Sequence, residues 1–339
     1  MRTTQTLLGL GALYTATLTV ALAQVSGYTP PTGYRTFSLG LSGSVVAISP
    51  SGKLAVATNQ FGGGGSITVY NRIAVENRQV VAQISQSSWQ FFGGMVWQDD
   101  DTLLFSENGD LDTVLRWNLT TNQANLLAPV GSLPNVAEIA LAGSQVLAIG
   151  ADGPNSNRLY AVQNGAVNQL VSAYGNGYAG GLAFRNGTIY AGDTNDPNFA
   201  GNPGQVFRFQ PVYDGSGAIV GANLIDTLSL AGGNGSGLAS FVFDTEGDLI
   251  ATTQRTLTLL RGTSAQPFGQ FSGAFPFPTS LAFYGNGFEP FSGNGVLVVN
   301  GSFTDVGGLF AITPVPEPSS LLLLASGVGI LCARQRRRR

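Results

Sequence analysis

Histidine is absent from this 339-residue chain, and its single cysteine, Cys332, lies close to the C-terminus. The first absence excludes histidine-based acid–base catalysis, histidine triads and histidine-ligated metal centres. The second excludes an internal disulfide and a cysteine nucleophile in the body of the chain. Charge is scarce too: only 10% of residues are charged, and Lys53 is the one lysine. Setting aside Arg2 and the five arginines of the last six residues leaves 10 cations against 19 acidic residues, near −9. Such a body excludes nucleic acid and an anionic membrane surface as partners. There is no phosphate-binding loop and no Gly-x-Ser-x-Gly elbow. The run Gly62–Gly65 sits between strand-like segments and reads as a flexible loop. The polar chemistry left to the body is that of carboxylates and amides, which suits Ca²⁺ or sugars.

The two ends differ from the rest. Arg2 precedes an apolar run, Leu7 to Leu22, and Ala21-Leu22-Ala23 gives a small-x-small pattern before Gln24. This predicts a secretory signal peptide over residues 1–23. At the other end, Pro316-Glu317-Pro318 leads through two serines into the apolar stretch Leu321–Ala333. A cationic end follows, with Arg334, Arg336, Arg337, Arg338 and Arg339 interrupted only by Gln335. Thirteen residues as a helix reach roughly 20 Å, short of the ~30 Å hydrocarbon core. The arginines resist translocation, so the body before Pro316 belongs outside and contacts the membrane only through this tail. Val315-Pro316-Glu317-Pro318, the apolar segment and the arginine cluster resemble the PEP-CTERM sorting domain of exported bacterial proteins. The resemblance implies recognition by an exosortase, cleavage near Pro-Glu-Pro, and delivery to the cell surface or extracellular matrix. The tail is assigned to residues 314–339.

Between the ends, apolar residues come in short clusters separated by Gly, Asn, Asp and Ser, and no long stretch has helical spacing. That is the pattern of an all-β protein. Six segments align as strand, polar tight turn, strand, with anchors at Ile48, Trp97, Leu141, Phe184, Phe243 and Phe283. A third alternating strand follows each, such as Val114–Trp117 and Val206–Phe209, and a fourth follows five of them. The sixth lacks a fourth strand, because Pro314 and Pro316 intervene, while residues 34–39 precede the first repeat without a partner. The expected fold is therefore a six-bladed β-propeller of four-stranded blades over residues 34–313, its ring closed by the N-terminal strand. Leu182-Ala183-Phe184 with its Asn-Gly turn, Thr188–Asp193 and Asn157-Arg158-Leu159 resemble the repeat unit of NHL and gluconolactonase-like propellers. In gluconolactonase-like members this resemblance implies a divalent metal at the channel mouth, held by Glu, Asn and Asp from different blades. Glu138 is the ligand this chain offers, and the others have no residue-by-residue match.

Four groups of polar residues are candidates for binding. Asn108, Asp110 and Asp112 fall at i, i+2 and i+4, the opening of a calcium loop, with Glu107 beside them. Thr113 stands where such a loop needs glycine, and no glutamate closes it. Asp99-Asp100-Asp101 reads as turn chemistry. Asp193, Asn195, Asp196 and Asn198 share the long loop of the widest repeat and could hold a ligand or cation. Three residues before the anchors stand Val45, Gly94, Glu138, Gly181, Ser240 and Ser280. This ring faces the central channel or its wall, with Glu138 as its lone acid. The resulting expectation is an exported, surface- or matrix-associated, non-catalytic module contacting extracellular polysaccharide or surface proteins. The alternative is a gluconolactonase-like metal-dependent hydrolase. A carboxylate-pair lyase or glycosidase has less support.

Overall fold

The computed structural model describes residues 25–59, 64–195, 201–273, 278–285 and 295–315. The signal peptide, Asp196 and Asn198 lie outside them. So does the tail from Pro316 onward, with the sorting residues Glu317 and Pro318 and the cations Arg334, Arg336, Arg337, Arg338 and Arg339.

Each blade is an antiparallel sheet; in blades 1 to 4 the strands lie side by side in sequence order, and in blades 5 and 6 an N-terminal strand is added at the outer edge. Blade 1 comprises Val45–Ile48, Leu54–Thr58, Gly65–Tyr70 and Val80–Gln86. Blade 2 comprises Phe92–Asp99, Thr102–Glu107, Thr113–Asn118 and Gln123–Leu126. Val136–Ala142, Gln145–Gly150, Asn157–Gln163 and Ala166–Tyr174 form blade 3. Ala179–Arg185, Thr188–Asp193, Gln205–Tyr213 and Ile219–Ser229 form blade 4. Blade 5 is built from Ser236–Phe243, Leu249–Gln254, Thr256–Arg261 and Ser264–Phe271. Blade 6 takes Leu281–Tyr284, Val296–Asn300 and Leu309–Pro314 from the C-terminal end. Its outer strand, Tyr34–Ser38, comes from the N-terminus, with Tyr34 opposite Pro314 and Ser38 opposite Phe310. The expected six-bladed propeller and its N-terminal closure are the observed fold.

One strand has no counterpart in the sequence reading. Tyr28–Thr29 pairs with the outer strand of blade 5 as a fifth strand. Two residues carry too little alternation to show, so the contact comes from Tyr28 itself. Its ring is buried against Phe271 and Phe310, 4.7 and 5.1 Å between centroids, and its hydroxyl donates to Phe268 O at 2.5 Å. The chain thus crosses from blade 5 to blade 6 before the first blade begins, strapping the seam of the ring.

Packing follows from strand alternation. Leu103 and Phe105 point toward blade 1, whereas Leu104 between them points toward blade 3. A second strand between two blades is buried on both faces, which explains runs such as Leu103-Leu104-Phe105. The six clusters of buried apolar residues correspond to the six blade interfaces. At the ends of several second strands stand polar residues, Glu107, Asp193, Gln254 and Asn300, which organise the loops at the face of the ring where the innermost strands begin.

Candidate functional site

The innermost strands converge on a central cavity of about 340 Å³ whose lining draws on all six blades, including Val46, Met95, Leu182, Phe241 and Leu281. Most of this lining is apolar, and Glu138 is its one carboxylate. The register of Val136–Ala142 against its neighbour shifts between Val136 and Glu138. Similar shifts occur at Phe92/Met95, Ala179/Leu182 and Ser236/Ser240. Bulges of this kind bend a strand and re-aim its side chains.

Glu138 has weak partners. Oε1 accepts from its neighbour's amide, Ile139 N–H, at 3.2 Å, and Oε2 accepts from the Ser240 hydroxyl at 3.4 Å. Ser240 is held from behind by Thr252, whose Oγ1 accepts from Ser240 N–H at 2.8 Å. Burial in this apolar surrounding pushes the Glu138 carboxyl up to about 8, against the smaller opposing effect of its two hydrogen bonds. At neutral pH the group is mostly a neutral acid. Of the other ring members, the Ser280 hydroxyl accepts from Val46 N–H at 3.1 Å, joining blade 6 to blade 1.

The metal implied by the gluconolactonase-like resemblance needs several protein ligands beside Glu138. Among the described residues, the cavity lining supplies only the Ser240 hydroxyl besides that carboxyl, and the remaining side chains have no donor atom for a hard cation except the Met95 thioether, a poor one. The donor set does not fit such a metal.

The other sequence candidates are separated by the fold. Glu107 is buried and spent on backbone: Oε1 accepts from Gln90 and Gly109 amides at 2.9 and 2.8 Å, and Oε2 from Leu111 N–H at 2.9 Å. Asn108 donates to Val136 O in blade 3, and Asp110 accepts from Gln90 Nε2 at 3.0 Å. Asp112 has a left-handed backbone (φ 42°), and burial raises its carboxyl above the ordinary aspartate value. The carboxylates of Glu107, Asp110 and Asp112 do not gather within 4.8 Å of one another. Two buried oxygens of this loop, Asn108 Oδ1 and Asp112 Oδ1, accept no hydrogen bond. Asp193 is buried and accepts from Asn157 Nδ2 at 2.5 Å, Asn195 N–H at 2.7 Å and Gly177 N–H at 3.0 Å. It holds two loops together, although burial still raises its carboxyl. The Asp99–Asp101 turn latches blades 1 and 2: Asp100 Oδ1 accepts from Ser49 Oγ at 2.7 Å and Ser51 N–H at 2.9 Å. Lys53 donates to Asp100 O at 2.7 Å.

One acidic cluster falls in the tight turn between the first two strands of blade 5. Asp244, Glu246 and Asp248 bring carboxylate oxygens within 4.8 Å of one another. Asp244 Oδ1 accepts from the amides of Gly247 and Asp248 at 2.8 and 2.9 Å, and Arg261 pairs with Asp248 at 2.6 Å. These bonds make it a hairpin turn whose three carboxylates are partly compensated by Arg261. The signal was present in Asp-Thr-Glu-Gly-Asp; the arginine thirteen residues beyond Asp248 was not visible as its partner.

Residues 314–339 match the PEP-CTERM protein-sorting motif, a span that takes in Pro316-Glu317-Pro318 and the cations from Arg334 through Arg337 and Arg338 to Arg339. The motif implies an exported protein, recognised by exosortase-type machinery and sorted to the cell envelope or surface. No curated protein sequence matches the chain. Among solved structures, a candidate gluconolactonase from structural genomics aligns with TM-score 0.55 and 12% identity, covering 84% of this chain and 93% of that one. A luciferin-regenerating enzyme aligns with TM-score 0.55 and 13% identity over 84% and 96%. A calcium-bound carbohydrate-active enzyme of family AA12 from Trichoderma reesei aligns with TM-score 0.54 and 11% identity over 87% and 99%. At these identities the likeness is one of fold.

Proposed function

We propose that this protein is an exported, surface- or matrix-associated propeller that binds without catalysing, its ring presenting loops and blade edges to extracellular polysaccharide or surface proteins. The observation that carries the reading is the isolation of Glu138. An enzyme of the gluconolactonase type needs a cation clamped by several ligands and a carbonyl polarised against it. Among the described residues a single acid lines the apolar channel, and the buried acids Glu107 and Asp193 are committed to loop amides. The sorting motif fits the same reading, because a module displayed outside the cell acts by what it touches.

The test is a lactone hydrolysis assay with added Ca²⁺, Mn²⁺ or Zn²⁺, wild type against Glu138→Gln. No turnover above the metal-only rate is expected from either protein. Metal-dependent turnover that the substitution abolishes would make the protein a hydrolase.

A further inference from the structure

Blade 4 overhangs its neighbours. Its third and fourth strands, Gln205–Tyr213 and Ile219–Ser229, have nine and eleven residues, against six or seven and four to nine for their counterparts. Pairing with the second strand ends at Ile189 opposite Phe209, so residues 210–213 project past the inner strands. Gln145, which opens the second strand of blade 3, holds the projection. Its Oε1 accepts from Ile219 N–H at 2.6 Å and its Nε2 donates to Ile219 O at 3.3 Å. Between the projection and blade 3 lies a cleft of about 360 Å³.

Strand alternation decides which side chains face this cleft. In blade 4, Phe184, Phe207 and Phe209 pack toward blade 3. Tyr213, four residues on from Phe209, turns the same way, as does its cross-strand partner Ile219. In blade 3, Leu147 and Ala161 pack toward blade 4, which puts Gln145 and Gln163, each two residues away, on the cleft side. Tyr213 is 48% exposed, and no described residue stacks on its ring or bonds its hydroxyl. Gln163 Nε2 reaches Ser144 Oγ only at 3.5 Å, the limit of a hydrogen bond, and its Oε1 has no described partner. Among the described residues no charged side chain lines the cleft.

We propose that this cleft binds a neutral sugar unit of an extracellular polysaccharide, which deepens the surface-module reading and rests on it. A sugar ring offers apolar C–H faces and a rim of hydroxyls, each both donor and acceptor. The rings of Tyr213 and Phe184 match the faces. The Tyr213 phenol, the Gln163 amide and the Ser144 hydroxyl match the rim. Gln145 is spent on Ile219, so it fixes the wall, and a site fixed before binding loses less to ordering. The volume lies at the lower end of the range for small-molecule sites, so it takes a short stretch of chain and leaves the rest outside. Charge decides against the other polysaccharides. An anionic chain would find no cation in the cleft and would meet a body near −9. A cationic chain would find no carboxylate. A peptide strand would need backbone partners, and both those of Ile219 are taken by Gln145.

The experiment uses the full chain in native gels cast with dextran, hydroxyethylcellulose or glucomannan, and with alginate as the anionic counterpart. Retardation in at least one neutral gel and none in alginate is expected. Tyr213→Ala should weaken that retardation about tenfold with the melting temperature unchanged, as loss of an aromatic anchor does. Tyr213→Phe, which keeps the ring, and Gln163→Ala should each weaken it about threefold, the effect of one lost hydrogen bond. Phe303→Ala removes an aromatic ring that is 59% exposed and outside the cleft lining, and should change nothing. In the wild-type protein the retarding polymer should also protect Tyr213 from nitration by tetranitromethane, read by peptide mass spectrometry. Absence of retardation in every neutral gel, equal or stronger retardation in alginate, or undiminished nitration of Tyr213 would overturn the proposal. Retardation that survives Tyr213→Ala and Gln163→Ala, or that Phe303→Ala weakens as much, overturns the cleft and leaves the surface-module reading standing. Lactone turnover dependent on Glu138 overturns that reading and leaves the gel result untouched.

Discussion

Gly94 of blade 2 lies directly against the Glu138 carboxyl of blade 3. A Cβ at position 94 would collide with Oε1 and come within 2.7 Å of Ile139 N and 2.9 Å of Glu138 Cα. Gly94 has no positive φ, so its role is space and not backbone freedom. The room for this half-buried acid is made by the absence of a side chain on the neighbouring blade.

Gly94→Ala should therefore destabilise the fold by about 1–3 kcal/mol, the usual cost of overpacking a well-filled interior. Gly215→Ala serves as the control, since a Cβ there meets nothing within 4 Å and the residue has no positive φ. Urea denaturation compares the two. Equal stabilities would mean that the channel wall yields freely at Gly94.

Glu138→Gln should stabilise the protein at alkaline pH and flatten its pH dependence. The folded-state value of Glu138, about 8, lies above the ordinary 4.5, so protonation favours the folded state. Its contribution is fully present below pH 4.5 and lost as pH rises toward 8. At ~1.4 kcal/mol per pKa unit the ceiling is near 5 kcal/mol, and the partial exposure of Glu138 lowers it to roughly half. Melting curves between pH 5 and 9 should show the wild type losing stability relative to the glutamine variant. Parallel curves would place the carboxyl in ordinary solvent.

The N-terminal strap should govern ring closure. Tyr28→Ala removes a buried aromatic side chain and the bond to Phe268 O, for a loss of about 3–5 kcal/mol. Deleting residues 25–38 should do more, exposing the Leu309–Pro314 edge and causing aggregation visible in light scattering. A monomeric, equally stable deletion would show that blade 6 holds with three strands.

Most of the fold was legible in the residues because each blade repeats one unit. Strand, Asn-Gly or Asp-rich turn, strand is a local pattern, and six copies with one strand missing and one spare require the closure seen at Tyr34–Ser38. What escaped was non-local. Tyr28 packs against residues some 240 positions away, and the pairing of Arg261 with the Asp244–Asp248 turn depends on strand register. Glu138 was legible as the one acid of its ring, yet the burial that raises its carboxyl depends on a cavity that Met95, Leu182 and Phe241 line from three other blades. The spacing of Asn108, Asp110 and Asp112 suggested a shared ion. The fold instead turns their side chains toward blade 3, Gln90 and the Asn135 amide.

The tail should direct sorting and contribute nothing to folding. The last described residue, Val315, still donates its amide to Gly33 O at 2.7 Å, so the blade is complete before Pro316. A chain of residues 25–315 should melt at the temperature of the longer protein. In cells, Glu317→Ala should leave the protein unprocessed in the inner membrane, read by fractionation and immunoblot. Unchanged surface delivery would remove the sorting role of the motif.

The titration of Glu138 itself bears most directly on whether the channel is a metal site. Its carboxyl carbon, labelled with ¹³C and assigned by comparison with Glu138→Gln, can be followed by NMR from pH 4 to 10 with and without millimolar Ca²⁺ or Zn²⁺. An isolated acid in an apolar channel titrates with a midpoint near 8 that neither ion moves. A midpoint at or below 4.5, or one that either ion pulls down, would contradict the isolated-acid reading and restore the channel as a metal centre.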